Sequence, residues 1–148
     1  MTGRDAEVLW LLPLTEYGEI SKETLWNSLE YFLKTVVPEA EKIGMKLALH
    51  PNNPQVESIR GISRILNTVE NFDRVLNIVP SESNGINFCQ GNFSLMGSDI
   101  PALIRRWGKA GKIHFCTQQI KLILYDNDNT KISHQYQKIA ILHLSFAR

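Results

Sequence analysis

Apolar positions along this chain follow two alternating rhythms. Leu25, Leu29, Phe32, Leu33, Val36 and Val37 recur at spacings that put them on one face of a helix, expected over residues 21–43. Ser21 stands where an N-cap belongs, Glu23 suits the positive helix start, and Gly44 stands where a stop belongs. Pro38 interrupts the run, so a kink or restart is expected near Val37. Residues 45–49 then read as a short buried strand, and His50-Pro51-Asn52-Asn53-Pro54 as a loop. The order repeats. Thr68 caps a helix whose apolar face is Val69, Phe72, Val75, Leu76 and Val79, a turn-rich stretch follows at 80–85, and a strand at 86–89. A loop is expected over 90–94. Ser98 or Asp99 caps a third helix with Pro101 in its first turn, where proline is tolerated. Ile100, Leu103, Ile104 and Trp107 line that helix, Gly108 is expected to end it, and a strand follows at 113–116.

Helices and strands alternating in this way predict an α/β fold: about three parallel strands, side by side, with covering helices. Three strands do not close a barrel, so the pattern reads as a fragment of a (β/α) barrel. From Thr117 the helical period disappears. Two apolar stretches flank Asp126-Asn127-Asp128-Asn129-Thr130, which reads as a β-hairpin with a polar turn.

Composition narrows the function classes. A chain of 148 residues with 43% apolar and 21% charged residues is ordinary for one globular domain. A net charge of +1 gives no electrostatic reason to expect nucleic acid or anionic membrane as a partner. Residues 8–14 are apolar but lack the small-residue cleavage site of a signal peptide. Two cysteines make no disulfide framework, and a reducing cytoplasmic setting is the expectation.

The chemistry lies at the strand ends. One apolar run ends in His50, the next in Cys89, and a third, Lys112-Ile113-His114-Phe115-Cys116, has the same shape. In parallel β/α folds active sites form at the carboxyl ends of the strands. An imidazole and a thiolate there suit a divalent transition metal, although a site usually takes three or four ligands. The plainer readings are a small buried hydrophobe for Cys89 and a loop residue for His50. A Cys89–His50 thiol–imidazole pair for nucleophilic catalysis lacks an orienting group. The glycines form no phosphate-binding pattern. Arg60 and Arg64 suit a carboxylate, or are solvated loop cations. Asn52 and Asn53 either hold hydroxyls or make a turn.

Four strings resemble one family. They are residues 29–51, ending Met45-Lys46-Leu47-Ala48-Leu49-His50-Pro51; Arg60-Gly61-Ile62-Ser63-Arg64-Ile65-Leu66-Asn67-Thr68-Val69-Glu70-Asn71-Phe72; Gly85-Ile86-Asn87-Phe88-Cys89-Gln90-Gly91-Asn92-Phe93-Ser94; and Asp99-Ile100-Pro101-Ala102. Together they resemble mannonate dehydratase from about residue 20 to residue 115. The resemblance implies a piece of a xylose-isomerase-like (β/α)8 TIM barrel. It implies a lyase that converts D-mannonate to 2-keto-3-deoxy-D-gluconate in hexuronate (glucuronate) catabolism. Mn(II) or Fe(II), a cytoplasmic location and a homo-oligomeric full-length enzyme are further implications. By matching position, His50 and Cys89 are the metal ligands; Arg60 or Arg64 is expected to meet the substrate carboxylate on residue type alone. The family's second histidine falls on Thr117, its aspartate ligand has no matching segment, and its acidic pair after His-Pro is replaced by Asn52 and Asn53. His114 lies within a strand and is not a ligand in this scheme.

Residues 1–116 therefore read as a partial barrel, and 117–148 as a divergent tail. Phe-Cys-Thr at 115–117 can be encoded TTT TGT ACA. Without one T the same bases read Phe-Val-His when a pyrimidine follows, which restores the missing histidine. An out-of-frame tail is the expectation. The chain then is a truncated lyase with little activity of its own. The alternative is a non-catalytic remnant or small interaction module of β/α units.

Overall fold

The computed structural model describes residues 12–117. The elements are α1 (Lys22–Lys42), β1 (Leu47–Leu49), β2 (Ser58–Ile59), β3 (Ile62–Ser63), α2 (Val69–Ile78), β4 (Asn84–Cys89), α3 (Gln90–Leu95), α4 (Ile100–Lys109) and β5 (Ile113–Thr117). The hairpin expected in the tail lies outside the described residues.

The expected caps form. Ser21 Oγ accepts from the Thr24 amide at 3.1 Å, Thr68 Oγ1 from Asn71 at 3.2 Å, and Asp99 Oδ1 from Ala102 at 3.0 Å. Helix α1 ends in a Schellman motif: the Met45 amide donates to the Ala40 carbonyl and the Gly44 amide to Glu41, with Gly44 at φ +67°. Helix α4 ends the same way, Lys112 on Trp107 and Gly111 on Gly108. The turn glycine of α4 is thus Gly111, at φ +65°, and Gly108 lies inside the helix. No restart occurs at Pro38, because α1 runs through it without a break. Pro38 is exposed near the helix end, so solvent can satisfy the carbonyl that its ring leaves without an amide.

Strands β1, β4 and β5 form a parallel sheet in the order β1-β4-β5. Strand β4 is central and almost wholly buried. Its even-numbered side chains Ile86 and Phe88 enter an aromatic core with Phe72 of α2, Phe93 of α3 and Trp107 of α4. Phe93 stacks on Phe88 at 4.9 Å between centroids and meets Phe72 at 5.0 Å and Trp107 at 5.3 Å. Burial of Phe93 accounts for helix α3 where the polar Gln90-Gly91-Asn92 run predicts a loop. A second core joins Trp26, Leu33 and Val37 of α1 to Val75 and Ile65, with Leu47 and Leu49 of β1 packed against it.

The amino ends of the strands are pinned by polar contacts to one turn. Lys46 Nζ donates to the Glu82 carbonyl at 2.8 Å and Lys112 Nζ to the Ser81 carbonyl at 2.6 Å. Asn84 Nδ2 reaches the carbonyls of Val75 and Val79, both at 3.0 Å, and ties the end of α2 to the start of β4. A β2–β3 hairpin stands apart from the main sheet. Its two-residue turn places Arg60 at φ +53° and Gly61 at φ +82°, the geometry of a type I′ connection.

The register carries one irregularity. Ile86 stands across from Ile113, but Asn87 stands across from Phe115, so His114 is the extra residue of a bulge. Its ring lies over Gly85, and Nδ1 is 2.6 Å from the Leu47 carbonyl oxygen of β1. A Cβ on Gly85 would come within 2.4 Å of that ring. Substitution G85A is therefore expected to lower stability by about 1–3 kcal/mol. Urea unfolding should show a much smaller cost in an H114A background; equal costs would mean that the imidazole is not the obstacle.

Candidate functional site

Alternation along the strands sorts the side chains. Leu47, Leu49, Ile86 and Phe88 face the helices. Ala48 pairs with Gly85, so β1 and β4 share a second face on which Ala48, His50, Gly85, Asn87 and Cys89 follow one another. Thr117 joins them. It stands across from Cys89, and its Oγ1 donates to Asn87 Oδ1 at 3.2 Å. His50 follows Leu49, which is across from Ile86, and so lies about one pleat repeat, ~7 Å along the strand direction, before the level of Cys89. The sheet thus brings His50, Cys89 and Thr117 to one face near the carboxyl ends of three adjacent strands.

Each group has a distinct setting. His50 is exposed, and its Nδ1 lies 2.7 Å from the Pro51 carbonyl oxygen. With the proton on Nδ1, the Nε2 lone pair is left for a ligand. Cys89 is fully buried, and its sulfur accepts from Asn92 Nδ2 at 3.1 Å. Cys89 and Cys116 are both free thiols. Desolvation, and secondarily the nearby Cys89, push the Cys116 thiol pKa up.

The arginines diverge. Arg60 sits in the hairpin turn and donates through Nε to the Pro13 carbonyl at 2.9 Å. Arg64 donates to the carbonyl of Asn53, in the loop that follows His50, at 3.1 Å. Burial lowers the Arg64 pKa, and its Nε has no hydrogen-bond partner among the described residues. Asn52 bridges to a distant segment: its amide donates to the Leu66 carbonyl and its Oδ1 accepts the Leu66 amide, both at 2.7 Å. His114, the bulged residue of β5, is held at Nδ1 beside the Leu47 carbonyl oxygen, while its Nε2 is buried with no hydrogen-bond partner among the described residues.

Among the described residues no three His, Cys, Asp or Glu side chains gather as metal ligands. The donors present still fit a thiophilic divalent ion in kind: an imidazole oriented by a carbonyl and a buried sulfur oriented by an amide. They make two ligands, and Thr117 offers a hydroxyl at the third strand end, so a complete site needs donors from elsewhere. A separate cleft of about 400 Å³ lies between the starts of α2 and α4, lined by Asn67, Thr68, Ser98 and Asp99 among others, and includes neither His50 nor Cys89. Asn92 and Asn87 are site residues that sequence reading misses. The signal for Asn92 is its spacing of three from Cys89, which brings it back over the sulfur once α3 is helical.

The family described as D-mannonate dehydratase (UxuA) matches residues 7–141, and so extends into most of the segment after 116. Mannonate dehydratase 2 of Halalkalibacterium halodurans is 39% identical over 103 residues, which are 69% of this chain and 30% of that protein. The mannonate dehydratase of Thermotoga maritima is 43% identical over 100 residues, covering 67% and 28%. The crystal structure of mannonate dehydratase from Streptococcus suis serotype 2 superposes with a TM-score of 0.60 at 38% identity, over 68% of this chain and 30% of that one. The chain therefore spans about 30% of the length of the relatives that it matches. Three parallel strands with covering helices, and a family match over most of its length, establish that this chain belongs to the D-mannonate dehydratase family.

Proposed function

We propose that this chain carries one sector of a metal-dependent hydro-lyase site that converts D-mannonate to 2-keto-3-deoxy-D-gluconate and water. The observation that supports this most is the placement of His50 and Cys89 on one sheet face at neighbouring parallel strand ends. His50 Nε2 and the Cys89 sulfur hold Mn(II) or Fe(II), and the ion, when bound, stabilises negative charge that develops on the sugar-acid oxygens. Loss of water takes a proton from C2 and the hydroxyl from C3, which calls for a general base and a general acid. Neither role is assigned to a described residue. Arg64, tied to the loop after His50, suits the substrate carboxylate better than Arg60, whose Nε is engaged by the Pro13 carbonyl. Hexuronate catabolism in the cytoplasm and a homo-oligomeric full-length enzyme complete the reading.

A second reading is a non-catalytic module of β/α units. It draws support from Thr117, a hydroxyl at the strand end where a third strong ligand is expected. Purified chain with Mn(II) and D-mannonate separates the two. Weak metal binding that is lost in H50A and C89S, with keto acid near background, is the expected result. T117H is expected to tighten Mn(II) binding by about tenfold in a calorimetric titration, the order of effect of a supporting group on a metal site. Metal affinity indifferent to all three substitutions would leave the non-catalytic module standing.

A frame-change origin of residues 116–148 is proposed as well, although the family match runs on to residue 141. DNA sequencing is expected to show a disputed T in the run encoding Phe115 and Cys116. An unbroken frame, with a mass spectrum of the expressed tail, defeats it.

A further inference from the structure

Cys89 is a fully buried sulfur in contact with another fully buried polar side chain, Asn92. Asn92 is the third residue of α3 and the third after Cys89, so the helical turn folds its carboxamide back over the strand end. Its Nδ2 donates to Sγ at 3.1 Å, while its Oδ1 is buried with no hydrogen-bond partner among the described residues. The Nδ2–Sγ contact thus joins two wholly buried polar side chains at the strand end, and a donor on one side of the sulfur leaves its remaining lone pairs for a cation.

We propose that Asn92 is the positioning residue of Cys89: its amide N–H holds the sulfur as a metal donor directed toward the sheet face that His50 shares. This rests on the metal-ligand reading of His50 and Cys89. Asn92 touches neither substrate nor metal in this scheme. It acts through Sγ, in the way that outer-shell donors fix the direction and basicity of metal-bound side chains.

The test uses the 148-residue chain carrying C116S, which leaves Cys89 as its single thiol, and Cd(II) alone as probe, read through the sulfur-to-cadmium charge-transfer absorption at fixed pH. This reference, wild type at residues 89 and 92, is expected to develop the band, and C89S to lack it. N92A and N92L are both expected to bind Cd(II) about tenfold more weakly, with an altered band. N92L keeps the branching and heavy-atom count of the side chain while removing the donor, so a purely packing role predicts that it titrates like wild type. That outcome, with C89S silent, overturns the role of Asn92 and leaves the metal reading intact. C89S titrating like wild type overturns both. Wild-type protein labelled with 15N-asparagine supplies a measurement that no variant's folding can compromise. The Asn92 side-chain amide resonance is expected to move when Cd(II) is added, and a resonance that stays in place counts against the proposal.

Discussion

The pairing of β4 with a parallel neighbour on each side is the constraint on which the rest depends. That pairing fixes which side chains of the central strand enter the aromatic core and which reach the opposite face. A slip of one residue would exchange the two sets. Ile86 and Phe88 make such a slip costly, because both are fully packed among rings from three helices. The price of burying them in the wrong direction is what holds Cys89 and Asn87 on the other face. Core packing and site placement are therefore one event, not two.

The two ends of the sheet divide the labour. At the amino ends, Lys46, Lys112 and Asn84 donate to backbone carbonyls of the turn and helix that lead into β4. These contacts satisfy main-chain acceptors and set where each strand starts. At the carboxyl ends lie His50, Cys89 and Thr117, and the loop after His50 is tied to the segment before α2 by the double link between Asn52 and Leu66. This is the separation expected of parallel β/α folds, with stability at one face and chemistry at the other.

Much of this was legible in the amino-acid string. The three helices, their caps and the three parallel strands follow from apolar spacing and from Ser21, Thr68 and Asp99, because these signals are local. His50 and Cys89 were legible as strand-end residues for the same reason. What escaped depended on contacts distant in sequence or on short elements. Helix α3 reads as a loop because Gly91 and Asn92 are turn formers, and only the docking of Phe93 into rings from other elements makes it helical. The β2–β3 hairpin was hidden because each strand has two residues, too few for a period to appear. Ser58-Ile59-Arg60-Gly61-Ile62-Ser63 is nevertheless nearly symmetric about its turn, with glycine at one of the two positions that need positive φ. The place of Asn92 against sulfur required α3 to be known first.

The extra residue in β5 governs how the two thiols sit relative to each other. Without it, counting from Ile113 across from Ile86, Cys116 would stand directly beside Cys89 and on the same side. With it, Cys116 stands across from Phe88 and Thr117 beside Cys89. A single inserted position thus places the two side chains on opposite surfaces of the layer.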